Sequence, residues 1–160
     1  MSGLLQALRD ADRVDVLALN ERFQHLTAPM DLGLLLHLDV VGRVEVIRAE
    51  GRFAGFVVTL PRDADHDSGN LVWFRERYDS FDYLDRIIVH DDFRRQGLAG
   101  RVYDEVEART ARRAPLLTLE VNVDPPNEPS LTFHSARGFE QVGERELDDH
   151  TVAMLVKRLP

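Results

Sequence analysis

The 160-residue chain contains no cysteine. That removes a disulfide frame, a thiolate metal site and a cysteine nucleophile, so a group transfer that passes through an acyl-cysteine is excluded. No stretch approaches the roughly 20 apolar residues of a membrane span, and the N-terminus lacks a basic segment followed by an apolar one. The expected address is the cytoplasm, with no membrane partner. Internal repeats and low-complexity segments are also missing. Neither Gly-x-x-x-x-Gly-Lys-Ser/Thr nor Gly-x-Gly-x-x-Gly occurs, which excludes a nucleoside-triphosphate P-loop and a dinucleotide fold. Basic side chains are the minority, 20 against 28 acidic for a net charge of −8, and no nucleic-acid surface is expected.

What is present suits one soluble domain spanning 1–160, with 44% hydrophobic and 30% charged residues. Arginines gather at Arg94, Arg95, Arg101, Arg109, Arg112 and Arg113. The first three fit a small phosphate-bearing ligand, and the last three fit a solvated helix face.

Arg94-Arg95-Gln96-Gly97-Leu98-Ala99-Gly100 joins the apolar strand Tyr83–Val89 to a helix whose Leu98, Val102 and Val106 recur at helical spacing. A helix start of this kind offers unpaired backbone N–H groups and the positive end of the helix dipole to an anion. Gly97 lets the ligand approach the backbone, and Ala99 and Gly100 keep the first turn slim. The run Arg94-x-x-Gly97-x-Ala99 resembles the Arg/Gln-x-x-Gly-x-Gly/Ala signature of the GCN5-related N-acetyltransferases, in which this loop binds the pyrophosphate of acetyl-coenzyme A.

A second motif follows downstream. After the strand Leu116–Val121 and a proline-rich turn comes Asn127 to Phe139, similar to the family pattern Asn-x-x-Ala-x-x-(apolar)-Tyr-x-x-x-Gly-Phe. It differs at Ser130, where alanine is usual, and at His134, where tyrosine is commonest. The resemblance implies an α/β acetyltransferase fold: a mixed, mostly antiparallel twisted sheet flanked by helices, with splayed parallel strands forming the cofactor cleft. It further implies acetyl transfer from acetyl-coenzyme A directly to a primary amine of a small molecule or a peptide N-terminus, by a monomer or homodimer. Two other readings stand beside it, a catalytically silent acyl-coenzyme A sensor and an interaction domain whose glycine loop binds nothing.

Along the chain, Leu4 to Leu8 fits a strand or a helical turn. Asp12 caps a helix that ends before Pro29, Asp31–Leu38 forms a second, and 43–49 and 53–60 pair as a hairpin around Glu50-Gly51-Arg52. Pro61–Asn70 is a polar surface loop, and 73–78 a short helix. The helix after the phosphate loop ends near Arg113, ahead of Pro115. Strands close the chain at 139–146 and 152–159. Asp63, Asp65, His66 and Asp67 match no calcium or zinc spacing, so no metal is expected. His25, His37, His66, His90 and His150 are structural or surface residues.

The transfer needs a bound thioester, a base for the ammonium and a partner for the departing thiolate. By the resemblance, Ile88 and Val89 lie at the end of one splayed strand, whose backbone would hydrogen-bond the pantetheine arm. Arg94 through Gly100 and Arg101 would hold the phosphates, and Asn127 would sit beside the arm. Glu120 lies amid Leu119 and Val121, where a carboxylate is costly unless paired or working. It is the first candidate base, supported by a similar Leu-Glu-Val context in the branch that acetylates protein N-termini. Strand alternation offers the other reading, a side chain that merely faces water. Asp85 and Tyr83 are the alternates, Asp85 being equally able to form an ion pair with Arg86. His134 stands where the family's tyrosine assists the leaving sulfur; an imidazolium can do the same, and a neutral ring would only position the thiol. Trp73, Tyr78, Phe81 and Tyr83 are candidates for the acceptor pocket.

Overall fold

The computed structural model describes residues 3–160. Seven strands share one sheet: β1 (Leu5–Ala7), β2 (Arg43–Ala49), β3 (Arg52–Pro61), β4 (Asp82–Val89), β5 (Leu116–Asp124), β6 (Glu140–Glu146) and β7 (Thr151–Arg158). Their order is β1-β2-β3-β4-β5-β7-β6. Every neighbouring pair is antiparallel except β4 and β5, which run parallel. The helices are α1 (Arg13–Arg22), α2 (Leu32–Val41), α3 (Gly69–Arg75), α4 (Leu98–Ala111) and α5 (Glu128–Ala136).

Each face of the sheet has its own core. On one, Val16 and Leu19 of α1, Leu35 and Leu38 of α2, and Leu71 and Phe74 of α3 pack on Val44, Phe56, Tyr83 and Met154. On the other, Leu98, Val102, Tyr103 and Val106 of α4 cover Val57, Leu84, Leu117 and Leu155, with Leu131 and Phe133 of α5 beside them. Strand alternation therefore decides which layer a β4 or β5 side chain enters.

Leu5–Ala7 takes the strand alternative, because β2 offers it an antiparallel partner from Leu5↔Ile47 to Ala7↔Glu45. α3 starts at Gly69 rather than near Trp73. Ser68 caps it by accepting from the Leu71 N–H at 3.3 Å, so the end of the expected surface loop is helical. β4 bulges at Asp85: Thr59 pairs with Leu84 and Val58 with Arg86, leaving Asp85 unopposed. The extra residue turns Arg86 toward α1, where its Nη1 donates to Asn20 Oδ1 at 3.0 Å and to the Ala28 carbonyl at 2.9 Å.

β4 and β5 pair only at Asp82↔Leu117 and Tyr83↔Thr118. Below that seam Asp82, 3% exposed, accepts from the Thr110 hydroxyl at 2.6 Å and from Arg113 at 2.5 Å, while Thr118 Oγ1 donates to the Asp82 carbonyl. Beyond Tyr83 the two strands part, and among the described residues the edges that face each other there have no sheet partner.

Candidate active site

The junction between β4 and α4 is open to an anion. Gly97 is the N-cap of α4 in left-handed conformation (φ 73°), and no side chain caps the helix. A Cβ at Gly97 would meet nothing within 4 Å, so the approach to the first-turn N–H groups is clear. Arg94, Arg95, Gln96, Gly97 and Arg101 are exposed, Leu98 is core, and Ala99 and Gly100 lie between. Arg94 is already engaged, with Nε 3.4 Å from Asp91 and its guanidinium 4.7 Å above the Phe23 ring. Ile88 is buried and Val89 partly exposed at the adjoining end of β4.

At the mouth of the gap the Tyr83 hydroxyl donates to Glu120 Oε1. Glu120 points to the layer of α1, α2 and α3 and keeps partial exposure, whereas Tyr83 is 1% exposed. Burial pushes the Glu120 carboxyl up to about 8, and the nearby Asp85 charge adds to that, against the stabilising hydrogen bond from Tyr83. Burial and the Glu120 charge together hold the Tyr83 phenol well above its ordinary value. A carboxylate poised near neutrality beside an open gap is suited to taking a proton from an ammonium group.

His134 lies on the other face, 5% exposed. Its Nδ1 is 2.7 Å from the Ser130 carbonyl, which can only accept, so Nδ1 carries the proton. Nε2 is 2.6 Å from the Tyr103 hydroxyl. Burial lowers the ring's affinity for a second proton. Tyr103 therefore donates to Nε2 of a neutral imidazole, and both ring nitrogens are occupied within the domain.

Asp85 accepts from Arg86 Nε at 2.7 Å, the ion pair that the sequence offered as its other reading. Phe81, 2% exposed, is sealed in the core 6.0 Å from Phe74 rather than lining a cleft. Tyr78 sits partly buried beside the same ring, and Trp73 packs on Gly143 of β6 under the Arg77 guanidinium, 3.7 Å away. Asn127 caps α5, its Oδ1 accepting from the Ser130 N–H at 3.3 Å. His37 and His66 meet at 3.2 Å. Two members of this site were not singled out by the sequence. Tyr103 sits at a core position of an amphipathic helix, and Asn70 falls in the stretch expected to be loop. Its side-chain oxygen accepts from Arg145 of β6.

A sheet with a helical layer on each face, parted at one parallel seam, with an anion-accessible helix start at the end of one strand and a half-buried carboxylate on the other, suits an acyl-coenzyme A transferase. The acetyltransferase (GNAT) family pattern matches residues 15–139, and the chain belongs to that family. It is an acetyltransferase whose donor is acetyl-coenzyme A. No curated protein sequence matches it. Among solved structures it is similar to Ard1 from Thermoplasma volcanium, with 17% identity, TM-score 0.74, and 100% and 99% of the two chains covered. It is also similar to Arabidopsis thaliana Naa50 in complex with the bisubstrate analogue CoA-Ac-MVNAL (13%, TM-score 0.73, 97% of each chain). A third likeness is to a GNAT family acetyltransferase from Elizabethkingia anophelis with acetyl-CoA bound (12%, TM-score 0.69, 97% and 95%).

Proposed function

We propose that this protein transfers the acetyl group directly to a primary amine, of a small molecule or of a peptide N-terminus, with Glu120 as general base. The observation that carries the reading is the Tyr83–Glu120 pair at the mouth of the β4–β5 gap. The gap exposes strand N–H groups that suit the pantetheine amides and the thioester carbonyl. The Arg95–Gly100 turn and the start of α4, joined by Arg94 once it leaves Asp91, suit the phosphates. Glu120 takes the ammonium proton directly or through water; the freed amine attacks the thioester carbonyl, the C–S bond breaks with its electron pair on sulfur, and the thiolate takes up, through water, the proton that the new amide nitrogen loses. Asp85, neutralised by Arg86, shapes the field around Glu120 instead of replacing it. His134, engaged at both nitrogens, serves by position and not as an acid. A peptide acceptor gains support from the peptide-like analogue bound by the Naa50 neighbour.

That same engagement of His134 favours one rival, a silent acyl-coenzyme A sensor, because the family's free hydroxyl donor is replaced. Native mass spectrometry with acetyl-coenzyme A, followed by turnover on a panel of amino acids, polyamines and short peptides, separates the two. Release of coenzyme A with an acetylated amine is the expected result. Tight binding without turnover on the whole panel overturns the transferase reading in favour of the sensor.

A further inference from the structure

The turn that leads into the phosphate cradle carries one carboxylate shared by two guanidiniums. Asp91 opens the tight helical turn Asp91–Phe93, and Arg94 closes it, its N–H donating to the Asp91 carbonyl at 3.2 Å. Side chains three positions apart eclipse in a turn of this kind, and Arg94 Nε comes to 3.4 Å from Asp91 Oδ1. The other oxygen, Oδ2, accepts from Arg22 at the end of α1. Both guanidiniums also lie over the ring of Phe23, Arg94 at 4.7 Å and Arg22 at 5.7 Å, and that ring is packed against the core beneath α1 and α2. Asp92 is matched separately, 3.7 Å from Arg52 and 3.7 Å from His90. Arg94 is thus seated on an acid and an aromatic ring, and a ligand phosphate must draw it off Asp91. Asp91 keeps a cation when that happens, because Arg22 holds the opposite oxygen.

We propose that Asp91 and Arg22 set the affinity for the donor from outside its binding site: Asp91 competes with the donor's phosphates for Arg94, and Arg22 eases the exchange by keeping Asp91 paired once Arg94 has left. The proposal rests on the reading of Arg94–Gly100 as the phosphate cradle. Neither residue needs to touch coenzyme A. The side chains of Asp91, Arg94 and Arg22 are 45%, 49% and 52% exposed, which keeps each pair weak and so exchangeable. While Arg94 sits on Phe23 it ties the end of α1 to the cradle, and the tie is released when Arg94 turns to a phosphate.

The test is calorimetry with coenzyme A on the full chain at low ionic strength, where exposed charges are least screened, run as a double-mutant cycle. Asp91→Asn should tighten binding about threefold, the scale of an exposed ion pair. Asp91→Ser should do the same, and it serves if the asparagine keeps hold of Arg94. Arg22→Ala should weaken binding about twofold, and Arg22→Lys should stay near the parent. In an Arg94→Ala background both effects should shrink, since the guanidinium competed for is gone. Effects of equal size with and without Arg94 overturn the proposal, because Asp91 and Arg22 would then act on the phosphates through their charges alone. Unmoved affinity in both Asp91 variants overturns it as well. Gly97→Val tests the cradle separately. Parent-like affinity there removes the premise, whereas weakened binding there together with an unmoved Asp91→Asn defeats this proposal and leaves the cradle standing.

Discussion

The Tyr103 hydroxyl on α4 and His134 Nε2 on α5 lie 2.6 Å apart, and this contact joins the two helices behind the gap. His134→Phe leaves a buried phenol without its partner and should cost about 1–3 kcal/mol of stability. The ring's folded-state affinity for a proton is lowered. Its stabilising contribution is therefore present above the unfolded value near 6.5 and is lost as pH falls through the lowered folded one. Melting temperatures should show the parent losing more than His134→Phe between neutral and mildly acidic pH. An alkaline decline in parent turnover that His134→Tyr pushes upward would show instead that the imidazolium is an acid.

Glu120→Gln keeps the shape and removes the proton acceptor. Turnover should fall by roughly a hundredfold or more, with coenzyme A affinity near the parent value by calorimetry. Stability should move the opposite way. Burial pushes the folded carboxyl up to about 8 against an ordinary value of 4.5, so between these values the native state holds a proton that the unfolded chain has released. The parent then loses stability as pH rises between these values, and the advantage of the glutamine variant should grow across that window and level off beyond it.

The phosphate cradle is tested at Gly97 and Arg94. Space around Gly97 is clear, so the cost of Gly97→Val to the free protein comes from its positive φ, on the order of 1 kcal/mol. The larger effect should be on coenzyme A, whose phosphates would meet the added methyl groups. Calorimetry should show binding strongly weakened while the protein remains folded; parent-like affinity would place the phosphates elsewhere. Arg94→Ala should weaken binding by about 1–2 kcal/mol, typical of a charge-assisted hydrogen bond.

The motifs were legible because they are local: a strand, a glycine turn and a helix lie consecutively between Tyr83 and Val106, and Asn127 to Phe139 forms one helix and its exit. The mixed, mostly antiparallel sheet with its splayed parallel strands followed from the resemblance those motifs carry. What could not be read depends on contacts between distant segments. His134 looked free because its partner Tyr103 is on another helix, and Asn70 looked like loop because its partner Arg145 comes from β6. The bulge at Asp85 has no signature in the residues themselves, and it brings Arg86 round toward α1 beside the Asp85 carboxylate. Phe81 shows the same limit, since an aromatic residue beside a cleft and one beneath it share the same sequence context.

The seam at Asp82 and Tyr83 also makes the sheet two rafts, β1 to β4 and β5 to β7, each tied internally by antiparallel ladders and to each other by little more than one turn's length of bonding. Thr118 of β5 reaches across to the Asp82 carbonyl, and the Asp82 carboxylate ties β4 to Thr110 of α4 and to Arg113 just beyond it, so α4, which packs on both strands, braces the seam from one face. Asp82→Ala should loosen the rafts before it unfolds either, visible as faster amide exchange along the inner edges of β4 and β5 than along β2 or β7. A donor molecule lying across the opening would then mortar the rafts together. Saturating coenzyme A should slow exchange on both sides of the seam, so substrate occupancy and mechanical cohesion become one property of this protein.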